Sequence, residues 1–390
     1  MPSFSSERGP ARRAVLMGTA AALTTGCSGT QPGPPARAGA TPSAQVRSEL
    51  PAPSSPTRRQ HGITGAQPPH VTVLGFDLDP GRRGPAGARR LRRVLAAWTA
   101  LSRTAASPAD TISPSAGQPG GVTVTVGIGP RTPGLLGLRQ PALLRELPSF
   151  PGDLLQPERS GGDLLVQICG GGVAEVAATA RSLTALADGT LRARWTQNGH
   201  LPPHGARETP RNLFGFKDGT VNPTPEEAER WVWVGSGPDK DGTYLVMRRI
   251  HMDTTTFSAL PTRRQEAVVG RTLAEGAPLG HREEHREVNL FEKTPEGRYV
   301  LPIDAHVRQA HSRLDGGARM LRRGYTYDDG PRDRGLLFLA CMNDPRLFVR
   351  VQERLAVKDA LSRFIQHRAS ALVYVLPGPE PTGSLGDSLF

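Results

Sequence analysis

The side chains best suited to chemistry fall in three short segments of the 390-residue chain. The first, NLFGFKDGTVNPT at 212–224, gathers Gly215, Gly219 and Pro223 around a tight turn with Asp218 at its tip. An Asp-Gly pair is ordinary turn chemistry. What raises Asp218 above that is the flanking pair Phe214 and Phe216, because an apolar wall around a rigidly held carboxylate tunes its proton chemistry. The second segment, LPIDAHVRQAHSR at 301–313, holds His306 and His311, five positions apart. That spacing does not put both on one helix face, so a single metal gripped by the two is not expected. The third, ARMLRRGYTY at 318–327, sets Arg322 and Arg323 between apolar residues. In a strand one of the two must point inward, and an inward guanidinium needs an anion or a negatively charged partner. From residue types alone these are an acid, a histidine and an arginine without a named reaction.

The elements that must position them follow from hydrophobic periodicity. A period-two run beginning at His70 (HVTVLGFDLD) reads as a strand, and the segments beginning at Gly121 (GVTVTVGIG), Asp163 (DLLVQICGG) and Leu191 (LRARWTQNG) read as three more. Helical patterns cover 88–103 and 173–188. This β-α-β-β-α-β order is ferredoxin-like. It then recurs: a strand at 243–253, a helix over 255–269, a strand within 319–327, a strand at 335–343, a long helix over 346–367 and a strand at 370–378. The expected fold is α+β, with two ferredoxin-like domains at 70–212 and 213–379, each an antiparallel sheet with helices on its faces. All three site segments fall in or at the edge of the second domain, and 380–390 reads as a tail.

Composition narrows the class. Hydrophobic residues make up 37% and the net charge is +12. The arginines are scattered among Ala, Gly and Pro, and no basic stripe carries interleaved aromatics, so a nucleic-acid partner is not expected. The three cysteines form no CxxC or Cys/His pattern, which argues against zinc. Cys169 and Cys341 sit in apolar strand runs and read as buried thiols. At the N-terminus, Arg12 and Arg13 precede an apolar run from Ala14 to Leu23, too short to span a bilayer. Residues 1–27 therefore read as a signal peptide of the twin-arginine type, a route for folded proteins. Thr24-Thr25-Gly26-Cys27 resembles a lipoprotein cleavage box, with Thr where Leu is usual, and makes Cys27 a lipid acceptor candidate. Residues 28–69, rich in Pro, Ala, Gly, Ser and Thr, read as a disordered tether.

GFKDGTVNP, followed by DAHVRQAH and MLRRGYTY, resembles the dye-decolourising peroxidase family. The export signal resembles its secreted bacterial branch, which includes deferrochelatase-like members. The resemblance runs from about His70 to Gly378 and includes MDTTTFSALPTRRQEAVVGR and the terminal ALVYVLPG. It implies one haem b per chain, with His306 as the iron ligand and Asp218 and Arg322 on the peroxide side. Further haem contacts are implied at Gly219, Thr220 and Val221, at His311, Ser312 and Arg313, and at Leu336 and Phe338 on the strand GLLFLA. Two departures stand out: the link SGPDKDG before TYLV is unusually polar, and the spacer from His306 to Arg322 is short.

The resemblance also implies a chemistry that suits these residue types. His306 would donate from its second ring nitrogen to an acidic neighbour. Asp218 would take a proton from hydrogen peroxide and return it to the leaving oxygen, and Arg322 would stabilise the negative charge that builds as the O–O bond breaks. A small aromatic or dye-like reductant completes the cycle, with Tyr325, Tyr327, Tyr374, Trp231 and Trp233 as candidate surface electron relays. The twin-arginine export machinery is the implied protein partner, and the oligomeric state stays open. Two other readings share the pocket: a deferrochelatase-like or haem-carrying protein in iron acquisition, and a lipid-anchored binding protein without catalysis.

Overall fold

The structure is a computed structural model that describes residues 58–105, 121–205 and 208–390. The expected signal peptide, Cys27 and most of the expected tether lie outside the described residues. The strands are β1 (His70–Leu78), β2 (Thr123–Ile128), β3 (Leu164–Gly170), β4 (Leu191–His200), β5 (Thr243–Met252), β6 (Leu321–Asp328), β7 (Arg334–Met342) and β8 (Ile365–Val375). The α-helices are α1 (Gly84–Ala105), α2 (Thr132–Leu136), α3 (Val173–Ala187), α4 (Pro225–Trp231), α5 (Thr254–Ser258), α6 (Thr262–Val269), α7 (His306–Gln309) and α8 (Arg346–Lys358).

Each half has the strand order of a ferredoxin-like sheet, β4-β1-β3-β2 in the first and β8-β5-β7-β6 in the second, with antiparallel neighbours throughout. The expectation of two such sheets therefore holds, but they do not stand apart. They join edge to edge into one closed barrel. The seams are short: Gly127 and Ile128 of β2 pair with Val375 and Tyr374 of β8, and His200 of β4 pairs with Thr326 of β6. Alternation then sorts the side chains. Val71, Val73, Leu165, Leu245, Met247, Leu337, Leu339 and both Cys169 and Cys341 fill one core. The opposite strand face packs Phe76, Val126, Val166 and Ile168 against Leu91, Leu95, Trp98 and Leu183 of α1 and α3.

Residues 58–69 are not a free tether. They run as a strap along both seams, and Gln60 and Ile63 are buried. The Gln60 carboxamide donates to Val126 O and Leu376 O and accepts from Val126 N, which supplies hydrogen bonds the short β2–β8 seam lacks. Gly62 lies so close to Thr125 that a Cβ there would sit 2.1 Å from its hydroxyl. At the other seam Leu201 N donates to Pro69 O. The expected tail is likewise packed: Leu385 and Leu389 are buried against the α1 core. Two helix boundaries also differ from expectation. Pro261 splits 255–269 into α5 and α6, since the ring cannot continue the ladder. The helix expected over 346–367 stops at Lys358, where Asp359 caps a 3-10 turn over Ala360–Arg363.

Candidate active site

His306 opens the short helix α7, held from behind by the end of α6. Gly270 ends α6 at φ +94°, and a side chain there would press on Leu301, Ala305 and Val307. The His306 Nδ1 lies 2.7 Å from Asp359 Oδ2. An ionised carboxylate only accepts, so Nδ1–H donates and Nε2 keeps its lone pair. Asp359 is itself fixed: its side chain is 1% exposed and its Oδ1 accepts from Leu361 N at 3.0 Å. Ala360 N donates to Asp304 O, which ties this turn to the chain just before His306. Burial pulls the His306 pKa down, but the charge and hydrogen bond of Asp359 outweigh it and the net shift is upward. The His306 side chain retains 29% exposure although protein surrounds it, as befits the wall of a recess. Among the described residues nothing hydrogen-bonds to Nε2. Sequence reasoning asked for an acidic partner here without finding Asp359, which lay within the expected long helix.

Asp218 and Arg322 are brought together by one loop and one strand. The turn closes through Asn212 N to Phe216 O, Gly215 N to Asn212 O and Asp218 N to Pro210 O, with Gly215 and Gly219 at positive φ. Beside it Phe214 stacks on Phe257 at 4.2 Å and Phe216 meets Phe257 edge-on. In β6, Arg322 and Gly324 share the face of Leu336 and Phe338 across the β6–β7 ladder. The Asp218 carboxyl lies over Gly324, whose absent Cβ leaves it room; a Cβ there would stand 3.6 Å from Asp218 Oδ2 and 3.1 Å from Leu336 Cδ1. Asn222, four residues after Asp218, clamps the strand. Its Nδ2 donates to Arg322 O and its Oδ1 accepts from Arg322 N, both at 2.9 Å. Among the described residues no protein donor reaches the Asp218 carboxyl, and both Asp218 and Arg322 act electrostatically on His306. The three expected residues thus lie within electrostatic reach of one another.

Arg323, the inward member of the pair, needs no anion. It is 4% exposed and its guanidinium donates to the Gly62 and Gly65 carbonyls of the strap. Arg322 has no carboxylate at ion-pair distance among the described residues, and neither does buried Arg271, which donates to the Gly276 and Glu284 carbonyls. Burial first, then Arg322, lower the Arg271 pKa. A free imidazole nitrogen within electrostatic reach of Arg322, itself close to Arg271, with neither arginine held by a carboxylate, suits an iron porphyrin with its anionic propionates.

The remaining candidates scatter around that recess. Thr220 donates to Glu284, which also holds Lys217 and Thr209, while Val221 is 45% exposed. His311 caps the 3-10 turn Ser312–Asp315 by accepting from Arg313 N, and burial lowers its pKa. Ser312 is half-buried, and exposed Arg313 lies over the Phe291 ring at 5.3 Å. Leu336 joins the Phe214–Phe257 wall, whereas Phe338 packs on Phe348 of α8. Four of the five relay candidates are not on the surface: Tyr325, Tyr327, Tyr374 and Trp233 are at most 2% exposed, and only Trp231 is half-buried. Alternation sends Tyr325 and Tyr327 to the barrel core, away from Arg322.

This architecture is shared. Residues 60–201 match the family model for Dyp-type peroxidase, N-terminal, and residues 209–380 that for Dyp-type peroxidase, C-terminal. With both halves matched, the chain belongs to the Dyp-type peroxidases. It is 35% identical to the dye-decolorizing peroxidase of Thermobifida fusca (strain YX), covering 99% of this chain and 98% of that one. It is 30% identical to the deferrochelatase of Escherichia coli O6:K15:H31, with 97% of each covered. Among solved structures it is similar to an oxyferrous complex of DtpA from Streptomyces lividans, with a TM-score of 0.78, 36% identity and 85% and 95% coverage. A DyP-type peroxidase from Streptomyces coelicolor gives a TM-score of 0.77 at 36% identity, with 84% and 94% covered. The protein is accordingly a haem-dependent peroxidase, an oxidoreductase that uses peroxide and a reductant.

Proposed function

We propose that this peroxidase works outside the cytoplasm, carries one haem b per chain, and divides its chemistry among His306, Asp218 and Arg322. The observation that supports the reading is the convergence of a carboxylate-backed imidazole with a carboxylate and an arginine joined through Asn222. His306 Nε2 would hold the iron, and Arg271 with Arg322 would favour the anionic edge of the ring. Haem, when bound, supplies the electrons that cleave the O–O bond of peroxide. Asp218 accepts a proton from the incoming peroxide and passes it to the leaving oxygen, because its carboxyl has no competing protein donor. Arg322 cannot serve as a base; it stays cationic and offsets the negative charge that grows during cleavage. The Asp359 carboxylate holds the ring of His306 and enriches it electronically. Gly219, Thr220, Val221, His311, Ser312, Arg313, Leu336 and Phe338 remain proposed haem contacts. Dyes, phenols or similar aromatic donors are the proposed reductants, and twin-arginine export with lipidation at Cys27 is the proposed route.

The test is the absorption spectrum of purified protein before and after one equivalent of peroxide. His306→Ala should lose the Soret band and His311→Ala should keep it; the reverse would refute the ligand assignment. Asp218→Asn and Arg322→Leu should keep the band but slow the first peroxide-dependent change by about ten- to ten-thousand-fold. A second reading is supported by the deferrochelatase relatives: release of iron with the tetrapyrrole intact. Protoporphyrin appearing without peroxide turnover would favour it.

A further inference from the structure

A cavity of about 280 Å³ opens beside the Phe214–Phe257 stack. Its floor is those two rings, nearly covered at 7% and 1% exposed, with Leu213 and Gln265 completing the lining. Its rim carries the hydroxyls of Thr254, Thr255 and Ser258 on α5, and Arg334 at the start of β7. Arg334 is the charged member of this lining, and it is half-buried. Three carboxylates lie near it along the chain or around α5 and β6, and none is at ion-pair distance. Asp333 pairs with Arg249 and Arg368. Asp253 caps α5 through Thr256. Asp328, opposite on β6, accepts from Gly330 N. Among the described residues Arg334 therefore has no carboxylate at ion-pair distance, and its one protein acceptor is Thr254 Oγ1 at 3.1 Å. A guanidinium carries five donors in a planar fork, so most of its capacity faces the cavity unspent. Thr254, which accepts from Arg334, still has its own proton to give.

We propose that this cavity is the docking site for the reductant, and that the reductant it selects is a single-ring aromatic anion, a phenol bearing a carboxylate. Leu213 and the exposed edge of Phe214 take the ring, Arg334 takes the carboxylate as a forked pair, and the α5 hydroxyls take the phenolic oxygen. The volume is at the small end of ligand pockets, which argues for one ring rather than a polycyclic dye. The floor is continuous with the active-site wall, because Phe214 and Phe257 belong to the same apolar cluster as Leu336, which abuts Gly324 beneath Asp218. Each donor gives up one electron and its phenolic proton. Two donors and one hydrogen peroxide thus become two phenoxyl radicals and two waters. The inference rests on the peroxidase reading for its oxidant but not for its binding step.

The test separates the two. Benzoate, which has the ring and carboxylate but no oxidisable hydroxyl, is titrated calorimetrically into the full haem-loaded protein. Saturable one-to-one binding is expected, weakened at least tenfold in Arg334→Gln and largely restored in Arg334→Lys. In turnover, Arg334→Gln should raise KM for 4-hydroxybenzoate at least tenfold with kcat unchanged, and leave KM for neutral phenol alone. The peroxide-dependent absorbance change without donor should match wild type in both variants. Absence of benzoate binding, binding indifferent to Arg334→Gln, or an equal rise in KM for both donors would overturn the proposal. Loss of the donor-free peroxide response in wild type would instead overturn the peroxidase chemistry and leave the benzoate result standing.

Discussion

Replacing Asn222 by Ala should cripple the peroxide reaction without loosening haem. The edge of β6 explains why. Strand β4 reaches β6 only at Thr326, so farther along the strand the Arg322 N–H and C=O would face outward without a partner. Asn222 takes the place of a neighbouring strand there, with two hydrogen bonds of 2.9 Å. On the same edge Gln67 donates to Gly324 O. Two neutral, part-buried hydrogen bonds contribute about 1 kcal/mol each, so Asn222→Ala should cost about 2 kcal/mol in urea unfolding. The same bonds tie the loop of Asp218 to the strand of Arg322, and misplacement by about 1 Å costs on the order of a hundredfold in rate. Stopped-flow mixing with peroxide should therefore show the first absorbance change slowed by about ten- to a hundred-fold. The Soret absorbance per protein should stay at the wild-type value, because the His306–Asp359 side is untouched. Asn222→Asp should not rescue, since a carboxylate cannot donate to Arg322 O. A variant that lost the 2 kcal/mol and still reacted at the wild-type rate would refute the coupling and leave Asn222 a purely structural clamp.

Other outcomes follow from the same geometry. Asp359→Asn should weaken haem retention by about ten- to a hundred-fold, measured by transfer of haem to excess apomyoglobin; unchanged retention would mean that His306 needs no carboxylate behind it. Burial, then the charge of Arg248, push the His367 pKa down from 6.5 to about 3. The unfolded chain protonates first, so stability is lost as pH falls below 6.5, by about 2 kcal/mol at pH 5. Urea unfolding free energies at pH 8 and 5 should show that difference in wild type and not in His367→Gln. Gln60→Leu strips three hydrogen bonds from the β2–β8 seam; a loss of about 3 kcal/mol is expected, and a loss below about 1 kcal/mol would show that the seam closes without the strap. Arg12→Lys with Arg13→Lys should leave haem-loaded protein in the cytoplasm, and normal secretion of that double variant would exclude the twin-arginine route.

The two repeated halves were legible because strand runs are a local signal, alternating in HVTVLGFDL and continuously apolar in LLVQICG. Barrel closure was not legible. Its seams rest on Ile128 with Tyr374 and on His200 with Thr326, pairs far apart in sequence whose side chains carry no pattern of their own. The strap was misread because Gln60, Gly62 and Gly65 act through a carboxamide and backbone carbonyls, which composition cannot distinguish from a solvated linker. Arg323 was misread for the same reason: carbonyls rather than a carboxylate satisfy it. At the site, Asp218, His306 and Arg322 stood out by type and motif. Asn222 and Asp359 act by holding something else, one a strand edge and the other an imidazole, and neither sits in a local pattern that announces such a role.

The short seams also bear on how the chain avoids aggregating as it folds. Each half on its own is an open sheet ending in two bare edges, β2 and β4 in the first, β8 and β6 in the second. Exposed edges are templates for pairing with other chains. During synthesis the first half is complete long before β8 exists, so its edges must wait, and a half-made chain is the form most exposed to mispairing. The finished molecule removes all four edges at once by giving each half to the other, with the strap laid over the joints. Truncation anywhere before β8 should therefore yield insoluble protein rather than a stable half-enzyme, and an export route that accepts only folded chains would hold such products back.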